Sequence, residues 1–269
     1  MYDPGHDHFQ LTKYFVILLN YMSDKLHKTK GIVLKTIKYG ETSVIVSIYT
    51  ELFGIQSYLV NGVRTSGKKG SPKAILLQPS AILDLVVYHN ELKQLNRIKE
   101  FKWGFLYQTV LTEVPKNAVA LFMVELLTKC LKQPEANQEL YNFAEDVFIQ
   151  LDSGHPSVVA NLPLFFAVHL SHFFGFRMDD NYNDEKLYLD LQEGSFTEVQ
   201  PRHPHFLEGQ QAATTSQILK VMQPSELSGI KLNHDFRRNL LNAFETFYSL
   251  HIAEFGKLKT LPVLRELMR

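Results

Sequence analysis

The sequence predicts an α+β chain in which a small five-stranded β-barrel precedes an all-helical domain. Apolar residues recur with period two from Gly31 to Trp103 and with helical period beyond it. Turn residues cut the first region into short runs, which suits antiparallel strands. Charge divides at the same place: residues 23–103 hold 13 Lys or Arg against 6 Asp or Glu, and residues 104–269 hold 14 against 20. The chain as a whole hides this, since its 28 basic and 28 acidic residues cancel. A basic first part points to a polyanion such as nucleic acid, and an acidic second part to a protein-facing or solvated surface.

Residues 1–29 read as an N-terminal extension, partly disordered. Within it, "LTKYFVILLNYM" (11–22) resembles a signal-peptide core, but the preceding "MYDPGHDHFQ" is acidic where a signal needs positive charge. The run is also too short to span a bilayer. The expectation is a protein that starts near Met22; native protein whose mass includes residues 1–21 would refute it.

The barrel is expected over residues 30–103, with strands in "GIVLKTIK" (31–38), "SVIVSIYT" (43–50), "IQSYLVNG" (55–62), "AILLQPSAILDLVVYHN" (74–90, broken at Pro79) and "LKQLNRIKEFKW" (92–103). So many short, closely connected strands fit a closed barrel, because closure removes exposed edges.

Helices are expected over 117–133, 137–154, 156–176, 214–222 and 234–255 within a helical domain of residues 104–269, followed by a short tail. Asn137 offers an N-cap, Gly154 a stop, and 156–176 is apolar enough to lie at the centre. An irregular segment, 177–209, contains "KLYLDLQEGSF", a hairpin pattern turning at Glu193 and Gly194. The single cysteine, Cys130, rules out an intrachain disulfide and any multi-cysteine metal site; it reads as a buried structural thiol.

The most informative stretch is "LVNGVRTSGKKGSPKAILLQP" (59–79), which gathers Arg64, Lys68, Lys69 and Lys73 with no acid among them. A five-stranded barrel with such a loop raises the OB-fold, in which cations line phosphates and aromatics stack bases. Gly62, Gly67 and Gly70 let main-chain amides approach phosphate oxygens. The plainer alternative is an ordinary polar hairpin loop.

At this point the sequence resembles the RecO family of bacterial recombination mediators. The likeness rests on the G-I-V-L strand, the Y-G-E-T turn, T-E-L-F-G, the G-V-R before the basic loop and the L-Q-P after it. It continues in "ALFMVELLTKCL", "FFGF", "YLDLQEGSF" and "YSLHIAEFGKLKTLPVLRELM", so it covers Lys30 to Met268. The resemblance implies a non-enzymatic protein that binds single- and double-stranded DNA and anneals complementary strands in the cytoplasm. It further implies RecR as a partner, RecF as a possible one, and the acidic C-terminal tail of single-stranded DNA-binding protein, with recombinase loading as the outcome. DNA contacts would fall on Lys35, Lys38, Arg64, Lys68, Lys69 and Lys73, with Arg97, Lys99 and Lys102 as a second basic row. Tyr39, Tyr49 and Tyr58 are candidate stacking residues. For the tail, Phe122, Lys129 and Lys132, or Arg237 and Arg238, could supply an apolar slot with a cationic rim.

One departure stands out. Many members carry a four-cysteine zinc site after F-G-F, and this sequence has no cysteine there, so the expectation is a zinc-free hairpin held by Leu189, Leu191 and Phe196. Asp179, Asp180, His203 and His205 lack regular ligand spacing. His169 and His172 share a helix face, where satisfied histidines are the plainer reading. With no phosphate-binding Gly-rich motif and no nucleophile signature, no cofactor is expected. The competing function is a protein–protein adaptor whose barrel docks a partner, and a metal-dependent hydrolase is a distant third.

Overall fold

Strand β1 (Lys25–Tyr39) is long enough to pair on both sides, and this closes the barrel. The computed structural model describes residues 25–63 and 72–267. The first half of β1 runs antiparallel to β4 (Ile82–His89), from Lys25 opposite His89 to Ile32 opposite Ile82. Its second half pairs with β2 (Ser43–Thr50), from Gly31 opposite Thr50 to Tyr39 opposite Ser43. A register shift between Val33 and Lys35 bends the strand from one partner to the other. Strand β3 (Gly54–Val60) continues antiparallel from β2, and β5 (Asn96–Phe105) meets β3 in parallel. The order β1-β2-β3-β5-β4 closes on itself, an OB-fold barrel. Inward residues of alternating strands, among them Val33, Val46, Ile48, Tyr58, Leu83 and Val87, form its core.

Two strand expectations need correction. Residues 25–29, assigned above to the extension, belong to β1; its outer end alternates polar residues, Thr29 buried between exposed Lys28 and Lys30, so no apolar run marks it. The expected strand over 74–78 is instead a helical turn, α1 (Pro72–Leu76), because Leu76 and Leu77 pack onto the barrel core. Ser80, buried and at φ 74°, then redirects the chain into β4. The expected extension up to residue 24 lies outside the described residues.

The chain divides into two units: the barrel up to Gly104 together with Pro134–Ala136, and Phe105–Gln133 together with Asn137 onward. The second unit holds α2 (Val114–Cys130), α3 (Gln138–Ser153), α4 (Pro156–Leu170), α5 (Gly209–Lys220), α6 (His234–His251) and α7 (Thr260–Leu267). Asn137 and Asn233 cap α3 and α6, their side chains accepting from the N–H groups of Leu140 and Phe236. Helix α4, continued by a 3-10 turn to Phe174, is long and apolar enough to cross a membrane, yet most of its side chains are buried at the centre of this unit. Cys130 is buried at the end of α2, and burial pushes its thiol pKa up.

The hairpin forms as β6 (Tyr188–Asp190) and β7 (Ser195–Thr197), and β8 (Phe206–Leu207) pairs with the other edge of β6. Leu189, Leu191 and Phe196 are buried beneath it. Helix α7 replaces the expected tail. The Glu125 carboxylate on α2 accepts from the N–H groups of Lys259 and Thr260, each at 2.8 Å, while Leu261 and Leu264 bury one face.

Candidate nucleic-acid interface

The barrel positions its cations by strand alternation. On β1, Lys28 and Lys30 point outward, facing Val86 and Asp84 of β4 in register. On β5 the alternation skips a step, with Lys99 and Glu100 both exposed, so that Ile98, Phe101 and Trp103 turn toward the core and Lys99 and Lys102 both stand outside. These side chains line a groove of about 720 Å³ with Lys73, the described end of the basic loop. Among the described residues, Lys28, Lys30, Lys73, Lys99 and Lys102 stand there against Glu51, Asp84 and Glu100. Lys102 Nζ lies 3.4 Å from Asp84 and Lys99 Nζ 3.8 Å from Glu100. Such exposed pairs are worth little in water, so a polyanion can displace the carboxylates.

The structure gathers only part of the expected set. Lys73, Lys99 and Lys102 meet in the groove, whereas Lys35 and Lys38 sit exposed on the half of β1 that pairs with β2, and Arg97 lies where β5 meets β3; none of these three lines it. Arg64, Lys68 and Lys69 fall outside the described residues. Lys28 and Lys30 were not among the expected contacts, although the spacing K-x-K just before G-I-V-L was the available signal.

The stacking expectation fails for two of three tyrosines. Tyr49 and Tyr58 are fully buried, and burial raises their hydroxyl pKa values; Tyr39 is 52% exposed.

In the helical unit, Phe122 is 1% exposed in the core and cannot anchor a partner. Lys129 is already engaged: its ammonium donates to the Phe255 carbonyl and lies 5.0 Å above that ring. Arg237 is half-buried and donates to the Leu232 carbonyl. Lys132 and Arg238 remain exposed, the latter 3.1 Å from Asp235. A cavity of about 630 Å³ takes in Arg238 with His234, Asn242 and Arg265, but neither Lys129 nor Lys132 lines it.

Asp179, Asp180 and His203 after F-G-F each serve another partner. Asp179 pairs with Arg177 at 2.7 Å, Asp180 accepts from Ser216 Oγ at 2.6 Å, and His203 Nε2 lies 3.1 Å from Asp190. Since His203 Nδ1 accepts the His205 N–H, its Nε2 carries the proton donated to Asp190. Among the described residues no three His, Cys, Asp or Glu side chains are grouped to hold a metal ion. Burial, aided by neighbouring His172, pushes His169 down to about 4, so it stays neutral at pH 7.

Comparison with known proteins agrees with this architecture. The pattern described as Recombination protein O N terminal matches residues 22–104, and that described as Recombination protein O C terminal matches residues 111–182. The chain is similar to the DNA repair protein RecO of Bacteroides fragilis, 33% identical over 245 residues, covering 90% of this chain and 99% of the relative. It is similar also to the RecO protein of Phocaeicola vulgatus, 31% identical over 242 residues (90% and 99%), and to that of Flavobacterium johnsoniae, 30% over 241 (89% and 98%). With both halves matched in order and the relatives spanned nearly end to end, the chain belongs to the RecO family.

Proposed function

We propose that this protein is a DNA-binding recombination mediator in gap and double-strand break repair. It anneals complementary single strands and helps load recombinase onto DNA coated by single-stranded DNA-binding protein. Family membership gives the DNA repair role, since the relatives above are named DNA repair protein RecO. The observation that supports the mechanism is the groove lined by Lys28, Lys30, Lys73, Lys99 and Lys102. Lysines there neutralise phosphates and release their counterions, and screening the charge of one strand lets its complement approach. No bond is made or broken, so the protein acts as a mediator and not as an enzyme.

RecR, and RecF in some pathways, are the proposed partners on the bacterial nucleoid in the cytoplasm. For the acidic tail of single-stranded DNA-binding protein, Lys132 and Arg238 keep exposed charge, while the apolar slot must come from residues other than Phe122.

The test is binding of a labelled single strand at several salt concentrations, beside the variant Arg64→Ala, Lys68→Ala, Lys69→Ala, Lys73→Ala. Wild-type affinity is expected to fall steeply with salt, and the variant to bind more weakly with a shallower slope. A weak, salt-insensitive wild-type affinity would instead make the barrel a protein-docking adaptor.

A further inference from the structure

In OB-folds the face of strands two and three, with its flanking loops, takes the oligonucleotide. Here strands two and three of that face, from Ser43 to Thr50 and from Gly54 to Val60, carry no charge of their own, and its cations stand at the edges, Lys35 beside Ser47 and Arg97 beside Leu59. Ile45, Ser47, Ser57 and Leu59 are only partly exposed, and Tyr49 is fully buried. Phosphates would find no cation on those strands, and bases no open ring.

The wall made by β1, β4 and β5 offers both. Resting on the DNA-binding reading above, we infer that single-stranded DNA crosses this wall, its phosphates on Lys28, Lys30, Lys99 and Lys102 and one base stacked on Tyr88. Lys28 and Lys30 stand on one face of β1, about 6.6 Å apart along the strand. Tyr88 follows Asp84 and Val86 outward on β4, opposite Leu26, one pleat beyond the Val86 that lines the groove. Tyr88 is 37% exposed and Leu26 50%, so an aromatic platform with an apolar neighbour sits at the end of the lysine rows. A single strand uses both features, its bases free to stack while lysines hold its backbone. A duplex keeps its bases paired and offers Tyr88 no ring face. An acidic peptide would use the lysines and leave the ring idle. Asp84 and Glu100 keep the wall from being uniformly positive, which favours a strand that can be handed on.

The experiment uses the full chain and a fluorescein-labelled oligothymidylate, read by anisotropy across a salt series. Lys28→Ala with Lys30→Ala is expected to lower affinity and flatten the log–log salt slope by about 1.4, two single-strand phosphates' worth. Tyr88→Ala is expected to weaken binding at least about five-fold with the slope unchanged, Tyr88→Phe to restore it, and duplex binding to move little. Thermal melts of the three variants check folding; since the side chains are exposed, unchanged melts are expected. If wild type binds steeply with salt but the variants match it, the path lies elsewhere on the barrel while the DNA reading stands. If wild type shows no salt-dependent binding, that reading itself fails and takes the inference with it. If the lysine variant loses a labelled polyglutamate probe but keeps oligothymidylate, the wall is a protein-docking surface and the inference is overturned.

Discussion

The barrel and the helical unit put charge to opposite uses. In the barrel, lysines stand outside: Lys102 keeps 78% of its side chain in solvent, and its partner Asp84 42%. In the helical unit, acids stand inside and fasten the chain. Asp152 is 6% exposed and accepts from the N–H groups of Gln108, Thr109 and Val110 at 2.8 to 2.9 Å. Glu245, 7% exposed, accepts from Leu258 N–H at 2.7 Å, and Asp190 from Gln192 and Glu193. Each carboxylate exchanges water for main-chain donors, an arrangement that holds a loop against a helix or closes a turn. The acidic surplus of the second region is therefore partly internal. Net charge of a segment thus overstates how many of its charges a partner can contact directly.

The largest expected effect breaks that contrast directly. Asp152→Ala leaves three N–H groups without their acceptor and should cost about 3–5 kcal/mol of stability in urea unfolding. A loss under about 1 kcal/mol would show that the buried acid fastens nothing. The pH dependence has a fixed sign. Burial alone would raise the Asp152 pKa, but the three N–H donors hold it below the usual carboxylate range. Its contribution is thus present above the unfolded value of about 3.9 and lost as pH falls through the folded one. Asp152→Asn should remove that part of the acid transition.

The same contrast explains what the sequence disclosed. Strand β2 was legible because Val44, Val46 and Ile48 alternate inward within one run. Helix α3 was legible because Asn137 marks its start locally. The misses were non-local. The start of β1 is written in polar residues whose partners lie on β4, and α1 is a strand-like run recruited to cover the barrel core. Helix α7 is capped by Glu125, 135 residues earlier than Thr260. For the site, alternation separates a strand's two faces, but burial of Tyr49 and Tyr58 depends on what the rest of the chain covers.

A mid-sized effect tests the barrel by packing and not by charge. A Cβ on Gly31 would lie 2.5 Å from Ile48 Cγ2 and 2.9 Å from Leu85 Cδ1. Gly31→Ala should overpack the strand that joins β4 to β2 and cost about 1–3 kcal/mol, measured by thermal unfolding. A neutral result would mean those flexible side-chain ends move aside freely. Glu125→Gln keeps the shape of the cap on α7 but removes its charge, so about 1 kcal/mol is expected, with faster amide exchange at Lys259 and Thr260.

The smallest stability effects sharpen the comparison most, because two exposed ion pairs should behave alike in one measurement and differently in another. Lys102–Asp84 in the barrel spans 3.4 Å and Arg177–Asp179 in the helical unit 2.7 Å, with all four side chains at least 42% exposed. Lys102→Ala and Arg177→Ala should each change unfolding free energy by less than about 0.5 kcal/mol, since solvent and salt screen both pairs. On single-stranded DNA they should part company. Lys102→Ala removes a groove cation and should flatten the salt slope by about 0.7, whereas Arg177→Ala should leave both slope and affinity as they were. Equal effects on binding would mean that DNA senses the overall charge of the chain, and the division of labour between outward cations and inward acids would lose its functional side.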